Sequence, residues 1–243
     1  MINRKTKIYI YGDLRIRAFR VAWICEELQL EWEMEKTFPW SDKMYEINPS
    51  GKVPVIREDD FYVYESGAIL NYLADKYQEK TSASLLPKAG TRERAIYDQF
   101  LMLIFSDLEG AGLWMHRRFI DLALHSANLD LMKELHYVHI PEVAKPAKYS
   151  FERAIKVLIN QLEGNEYLLG DNFSTLDIHF LCDLEWAEAL DWLSENPKKQ
   201  LLDEYYDRVS RRPAFQKCSS MRRKLDITPK SLNTFTPRNR GRP

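Results

Sequence analysis

The first 80 residues switch repeatedly between strand and helix periodicity, and this order constrains the fold more than any other feature. Residues 7–11 (KIYIY) are a run of β-branched and aromatic residues that ends at a Gly-Asp turn, and apolar residues at helical spacing follow from Ala18 to Leu28. A second strand is predicted over residues 30–36, a hairpin over residues 52–57 and 61–64, and a helix from Ser66. The order β-α-β-(α)-β-β-α is typical of an α/β domain.

Beyond a polar linker at residues 81–90, the regular patterns are helical. Apolar residues repeat at helical spacing between Phe151 and Leu162, and Ser174 and Asp177 have the spacing of a capping box. Prolines 141 and 146 interrupt the pattern between residues 114 and 151, which predicts an insertion or an extended loop there. We therefore predict an α/β domain over residues 1–80, an all-helical domain over residues 91–225 and a flexible basic tail over residues 226–243.

The charge and hydropathy of the chain argue against several classes of protein. The 243 residues carry 35 Lys and Arg against 36 Asp and Glu, which argues against nucleic acid or a membrane surface as a partner bound through bulk charge. The balance hides an asymmetry, because residues 221–243 contain seven basic residues and one acidic residue. No apolar run has the length of a membrane span, and the N-terminal residues lack a signal-peptide apolar region, so we expect a cytoplasmic protein.

The cysteine and histidine positions encode neither a disulfide framework nor a metal site. Cys25, Cys182 and Cys218 are far apart and form no C-x-x-C pair, which also excludes the redox chemistry of thioredoxins. His136 and His139 are three residues apart, but no third matched ligand accompanies them. We therefore predict no metal.

The dipeptide Val53–Pro54 stands at the start of a predicted strand. If its peptide bond is cis, Val53 faces outward as a one-residue β-edge, which suits an extended peptide held by main-chain hydrogen bonds. The alternative is an ordinary strand-start proline. Lys52, next to it, is available for a carboxylate.

The dipeptide Glu65–Ser66 stands where the last predicted strand ends and a helix begins. With Ser66 as N-cap, the N–H groups and the dipole of the helix form a carboxylate site, and Glu65 can hold an ammonium group. Such a pair suits the zwitterionic end of an amino acid. The alternative is a capping serine beside a solvated glutamate.

Together these motifs resemble the glutathione-binding half of the cytosolic glutathione S-transferase family, with the character of a bacterial-type member. The resemblance is carried by residues 48–55 (NPSGKVPV) and 65–73 (ESGAILNYL), and later by residues 170–178 (GDNFSTLDI) and 208–215, and it covers residues 7 to about 222. It implies a thioredoxin-like N-terminal domain followed by an all-helical C-terminal domain, usually in a homodimer. It also implies glutathione as co-substrate and a small hydrophobic electrophile as second substrate.

The resemblance assigns the glutathione-binding residues by position. Val53, with Pro54 behind it, would pair with the cysteinyl backbone, while Glu65 and Ser66 would bind the γ-glutamyl end. Lys52 could neutralise the glycine carboxylate.

The residue that activates the thiol is assigned from a second family pattern. The Ser or Cys that many bacterial members have at the start of the first helix is missing here. A second family pattern, a Tyr at the end of the first strand with Arg four and six residues later, fits Tyr11, Arg15 and Arg17. We therefore expect the Tyr11 hydroxyl to donate to the thiolate, with Arg15 adding positive field. A strand tyrosine packed in the core is the alternative, and Arg15 or a backbone N–H would then be the donor.

The second substrate is constrained only by position. Phe105, Trp114 and Met115 fall where the family lines its second-substrate pocket, although core packing would explain them equally well. Residues 139–145 are similar to an insertion in bacterial aryl β-etherase and hydroquinone-dehalogenase relatives, so ether cleavage and dehalogenation stand beside conjugation. A non-catalytic binding module of the same fold is the alternative from another class.

Overall fold

The computed structural model describes residues 7–80, 84–126 and 128–225. Within these residues, the α/β domain is built on a four-stranded sheet with strand order β2-β1-β3-β4, in which β1 runs parallel to β2 and antiparallel to β3. The expected order of elements is confirmed. The elements are β1 (Lys7–Gly12), α1 (Ala18–Glu27), β2 (Glu31–Lys36), α2 (Asp42–Ile47), β3 (Val55–Glu58), β4 (Phe61–Tyr64) and α3 (Ser66–Tyr77).

The two faces of β1 follow the two-residue period of a strand. Ile8 and Ile10 are buried in the main core with α1 and α3, whereas Tyr11 belongs to a small separate cluster with Met44 of α2. The sheet therefore has α1 and α3 on one face and α2 on the other. β3 begins at Val55, so Val53 and Pro54 lie outside the strand.

The second domain is helical, as expected. A continuous helical run over residues 92–125 changes its winding: α4 (Arg92–Leu103) passes into a π-helix (Ile104–Leu113), α5 (Trp114–His116), a second π-helix (Arg117–Asp121) and α6 (Leu122–His125). The remaining α-helices of the described residues are α7 (Leu129–Glu134), α8 (Ala144–Leu162), α9 (Thr175–Ala189), α10 (Lys199–Ser210) and α11 (Pro213–Arg223).

α9 lies in the core of the helical domain and begins with the predicted capping box. The carboxylate of Asp177 accepts hydrogen bonds from the backbone N–H of Ser174 at 2.8 Å and from the hydroxyl of Tyr205 at 2.8 Å. Burial raises the pKa of Asp177, and these donors oppose that shift.

The structure corrects the prediction for residues 114–151. The first part of this segment is helical, and Pro146 lies in the first turn of α8, where a helix does not need the missing N–H. The linker is partly packed, since Leu85 and Leu86 are buried and their N–H groups donate to the Gln78 side chain at 3.0 and 2.9 Å. The basic tail predicted over residues 226–243 lies outside the described residues.

Two negative findings apply to the described residues alone. None of their helices combines the length and the apolar character that crossing a membrane requires. Nowhere among them do three His, Cys, Asp or Glu side chains gather in a group able to hold a metal ion.

Candidate functional site

A cavity of about 470 Å³ lies between the two domains, and both contribute to its walls. The α/β wall includes the sequence-predicted residues Arg15, Lys52, Val53, Pro54, Glu65 and Ser66. The helical wall includes two of the three residues expected for the second substrate, Phe105 and Trp114. Met115 and Tyr11 do not line the cavity.

Val53 offers an unpaired backbone segment at the cavity. The Val53–Pro54 peptide bond is cis, and within the described part of the chain neither the N–H nor the C=O of Val53 has a hydrogen-bond partner. The loop before it is held by Asn48, which is buried and whose side-chain N–H donates to the C=O of Lys52 at 2.9 Å. An extended peptide could therefore add to this segment through main-chain hydrogen bonds.

The N-terminus of α3 opens onto the same wall. Glu65, not Ser66, is the N-cap residue; it has a positive φ of 68°, and its side chain makes no capping hydrogen bond. Ser66 is the first helical residue and is buried. Because no side chain caps α3, its first N–H groups and its dipole are available to a carboxylate.

Tyr11 does not have the position that the sequence suggested. Its ring packs on the α2 face of the sheet, and its hydroxyl accepts a hydrogen bond from Nε of Arg57 at 3.3 Å. Strand alternation explains the difference, because Tyr11 points to the face opposite Ile10. The packed strand tyrosine, the alternative considered above, describes this arrangement.

Arg15 reaches the cavity wall, but its charge is engaged locally. Its Nε and Nη2 donate to the two carboxylate oxygens of Asp13 at 2.8 and 2.6 Å, and both residues are buried. Burial raises the pKa of Asp13, but the hydrogen bonds from Arg15 outweigh it, so the net pKa is lowered. This pair stiffens the turn before α1.

Arg17 lines the cavity and contacts residues of both domains. Its Nη1 donates to the hydroxyl of Ser66 at 3.3 Å, and its guanidinium group lies 5.4 Å from the ring centroid of Trp114. Burial lowers the pKa of Arg17 to about 9, which leaves the cation protonated at neutral pH. Within the described residues, the backbone N–H groups of Arg17 and Ala18 have no partner, so the start of α1 adds to the positive potential.

A buried charge network anchors Arg17 from behind. Glu109, on the first π-helix, accepts hydrogen bonds from Arg17 and, at 2.6 Å, from Nη1 of Arg20. Arg20 also pairs with Asp183 and lies 3.2 Å from Nδ1 of His179. Burial lowers the pKa of His179 well below its usual value, so its ring is neutral and Nδ1 accepts. The network joins α1 to the helical domain.

The helical wall is aromatic. The Trp114 and Trp186 rings pack edge to face at 5.5 Å, and the Phe105 ring lies against Gly67, where a Cβ atom would be only 2.8 Å away from it. On the opposite side of the cavity, the ring centroids of Trp40 and Tyr137 are 6.1 Å apart. The two domains therefore also contact each other on this side. Such walls suit a flat apolar ligand.

The comparisons with known proteins agree with this architecture. Residues 17–76 match the family described as glutathione S-transferase, N-terminal domain, and residues 133–213 match glutathione S-transferase, C-terminal domain. The two matches stand in chain order and together span more than half of the chain. The chain belongs to the glutathione S-transferase family.

Several relatives within the glutathione S-transferase family cover most of the chain. It is 29% identical over 175 residues to glutathione S-transferase F10 of Arabidopsis thaliana, covering 72% of this chain and 76% of that relative. It is 23% identical over 232 residues to glutathione S-transferase 1 of Schizosaccharomyces pombe, covering 92% of each. These two relatives come from a plant and a yeast.

The fold of glutathione S-transferases is confirmed by solved structures. A glutathione transferase of Phanerochaete chrysosporium, crystallised with oxidized glutathione, has a TM-score of 0.71 at 22% identity, covering 92% of this chain and 98% of that one. The expected arrangement, a thioredoxin-like domain followed by a helical domain, is therefore correct.

Several cavity residues of this glutathione S-transferase escaped the sequence analysis. Glu109, Arg118 and Trp186 line the helical wall, and Trp40 lines the opposite side. Their positions depend on the packing of distant segments. A local signal existed only for Arg17, which stands where a Ser or Cys was sought at the start of the first helix.

Proposed function

We propose that this transferase binds glutathione along the α/β wall and directs its thiolate at a small hydrophobic electrophile on the helical wall. The observation that carries the proposal is that three groups suited to binding glutathione line the same cavity. The unpaired backbone of Val53, the uncapped N-terminus of α3 and the cationic Arg17 all meet there.

Each part of glutathione has a partner of suitable chemistry in this arrangement. The cysteinyl backbone pairs with Val53, and the γ-glutamyl carboxylate binds the first N–H groups of α3 beside Ser66. Glu65 holds the ammonium group, and Lys52 neutralises the glycine carboxylate; both side chains are exposed on the cavity wall. Pro54 packs behind the peptide.

We assign thiolate stabilisation to Arg17. A thiol with a pKa of about 8.5 is only about 3% ionised at pH 7, and lowering that pKa by two units makes roughly three-quarters of it thiolate, at about 2.7 kcal/mol. Arg17 reaches Ser66 and Trp114, so its charge lies between the glutathione wall and the aromatic wall. The backbone N–H groups at the start of α1 add to this field, whereas Tyr11 packs on the other face of the sheet.

The electrophile is expected to lie against Phe105 and Trp114. Attack at an electrophilic carbon forms a C–S bond and expels the leaving group, which covers conjugation, aryl ether cleavage and dehalogenation alike. The similarity of residues 139–145 to an insertion in bacterial aryl β-etherase and hydroquinone-dehalogenase relatives stays a prediction. We further propose that the protein works as a cytoplasmic homodimer, as is typical of the family.

The test combines retention on immobilised glutathione with turnover of 1-chloro-2,4-dinitrobenzene, an aryl ether and a chlorohydroquinone. We expect retention and turnover of at least one substrate. Val53→Pro, which removes the backbone donor, should abolish retention, and the exposed control Lys156→Gln should retain it. Retention without turnover of any substrate would indicate a binding module instead, and failure of retention would contradict the site.

A further inference from the structure

We propose that the electrophile carries a carboxylate on an aromatic ring and that Arg118 binds this carboxylate. The proposal rests on the proposed transferase function and specifies its second substrate. It depends on which cations of the cavity wall already have partners.

The cations of the wall divide into two groups. Lys52 and Arg118 have no carboxylate within 4.0 Å in the described part of the chain, whereas the other cations of the wall are paired. The pairs are Arg15 with Asp13, Arg17 and Arg20 with Glu109, Arg222 with Glu185, and Arg117 with Asp121. Lys52 lies on the glutathione wall, so Arg118 remains for the second substrate.

Arg118 also has an unmet hydrogen bond. Its Nε atom is buried and has no hydrogen-bond partner among the described residues. That atom is closed to solvent, as is the unpartnered Nε of Arg17, but the two terminal nitrogens of Arg118 are neither buried nor hydrogen-bonded among the described residues, so a ligand carboxylate can accept from them. A guanidinium group presents two parallel donors, which match the geometry of a carboxylate.

Trp114 connects this cation to the proposed reacting centre. The guanidinium carbon of Arg118 lies 5.7 Å from the Trp114 ring centroid, and that of Arg17 lies 5.4 Å from the same centroid. The two guanidinium carbons are therefore no more than about 11 Å apart, and both lie beside the Trp114 ring. A single substituted benzene ring stacked on Trp114 can present its electrophilic carbon toward Arg17 and its carboxylate to Arg118.

The unpaired charge of Arg118 favours a negatively charged second substrate. Glutathione brings two carboxylates, and the N-terminus of α3 and Lys52 meet both on the α/β wall. A neutral electrophile would leave Arg118 unpaired beside an apolar surface. In an aromatic carboxylate, the ring covers the apolar surface and the carboxylate forms an ion pair with Arg118.

Two matched probes test the proposal, 4-chloro-3-nitrobenzoate and 4-chloro-3-nitrobenzamide. Both lose chloride on attack by the thiolate, and they differ only in the charged group. The kcat/KM of each is divided by its uncatalysed rate constant with glutathione, which removes the difference in intrinsic reactivity. We expect the normalised value to be about 10-fold higher for the benzoate or more.

Substitutions at Arg118 locate the effect. Arg118→Gln should lower the normalised value for the benzoate about 10-fold more than that for the benzamide, and Arg118→Lys should retain part of the preference. The control Arg153→Gln, on the exposed side of α8, should change neither. Equal normalised values in the unaltered protein, or loss of both activities in Arg118→Gln, would overturn the proposal.

Product binding separates this proposal from the transferase function. Calorimetry compares the glutathione conjugates of the two probes: tighter binding of the carboxylate conjugate, lost in Arg118→Gln, supports the anion site even if neither probe turns over. In that case the transferase function fails and the Arg118 site stands. Equal affinity for the two conjugates would overturn the site whatever the turnover.

Discussion

The carboxylate of Glu109 accepts a hydrogen bond from the guanidinium group of Arg17, although 92 residues separate them in the chain. Glu109 is only 1% exposed, and the same carboxylate accepts from Arg20. The helical domain therefore fixes the position of the cation that we assign to the thiolate.

Replacing Arg17 tests the assignment of the thiolate partner. In Arg17→Gln the positive charge is lost, so we expect the thiol pKa of bound glutathione to rise by about one to two units and kcat/KM at pH 6.5 to fall about 5- to 50-fold. The absorbance of the bound thiolate as a function of pH measures the first effect, and initial rates measure the second.

Tyr11→Phe is the matched comparison for Arg17→Gln. Because the Tyr11 hydroxyl contacts Arg57 on the α2 face, its removal should leave the thiol pKa close to that of the unaltered protein. A large rise in Tyr11→Phe together with no change in Arg17→Gln would restore the assignment made from sequence.

Much of the fold could be predicted from the chain because its signals are local. Strand and helix periods over residues 7–77 and the capping box at Ser174 and Asp177 need only neighbouring residues. The motifs around Val53 and Ser66 are likewise contiguous. The cavity brings both of them to one wall.

The other features of the site depend on contacts between residues that are far apart in the chain. Alternation in β1 puts Tyr9 and Tyr11 on one face, but the pattern does not say which face borders the cavity. The partner of Arg17 lies in another domain, on a π-helix whose winding leaves no simple apolar period. Arg118 could not be singled out until its neighbours were known.

Glu109 should contribute strongly to stability. Glu109→Gln leaves two buried guanidinium groups without their shared negative charge, and we expect a loss of about 3–5 kcal/mol in the free energy of unfolding. Denaturant titration measures the loss. The exposed pair of Lys133 and Asp130 is the control, since Asp130→Asn should cost less than about 1 kcal/mol. Similar losses for the two variants would contradict the role given to the buried network.

Glu58 should make stability depend on acid pH. It accepts hydrogen bonds from the hydroxyls of Tyr72 and Tyr77 and from Lys76 at 2.8 Å. Burial raises its pKa, but these donors outweigh burial, so the pKa is lowered. A carboxyl with a lower pKa in the folded state stabilises fully above its unfolded value of about 4.3, and the contribution is lost as pH falls through the folded value.

Comparison of Glu58→Gln with the unaltered protein checks this pH window. We expect the variant to be less stable by about 1–3 kcal/mol at pH 7, and the difference to shrink between pH 5 and pH 3. Urea unfolding at several pH values measures both. Glu46→Gln, at an exposed position of α2, is the control for the substitution itself. A difference that is constant across this range would exclude the proposed titration.

Lys52 should discriminate the glycine carboxylate. Because Lys52 is exposed, we expect Lys52→Gln to weaken glutathione binding only about 5-fold, and the loss to diminish at high salt. Glutathione with an amidated glycine should bind the variant and the unaltered protein alike. Calorimetric titration with both peptides measures this, and an equal loss for both peptides would show that Lys52 acts on the loop rather than on the carboxylate.

Gly67 should be required for the close approach of α3 to Phe105. Alanine usually stabilises a helix by about 1 kcal/mol relative to glycine, but a Cβ atom at Gly67 would lie 2.8 Å from Cε2 of the Phe105 ring. That ring is held between Arg17, at 5.8 Å, and His179, at 5.0 Å, so it has little room to move. We expect Gly67→Ala to lower the free energy of unfolding by about 1–3 kcal/mol, measured by denaturant titration.

A second substitution distinguishes this overpacking from a backbone effect. Leucine at position 105 shortens the side chain, so the double variant Gly67→Ala/Phe105→Leu should be destabilised less than the sum of its two single variants. An additive result would place the cost in the backbone of α3, and a Gly67→Ala protein more stable than the unaltered one would refute the contact. With the contact intact, Phe105 fixes the spacing between the N-terminus of α3 and the aromatic wall.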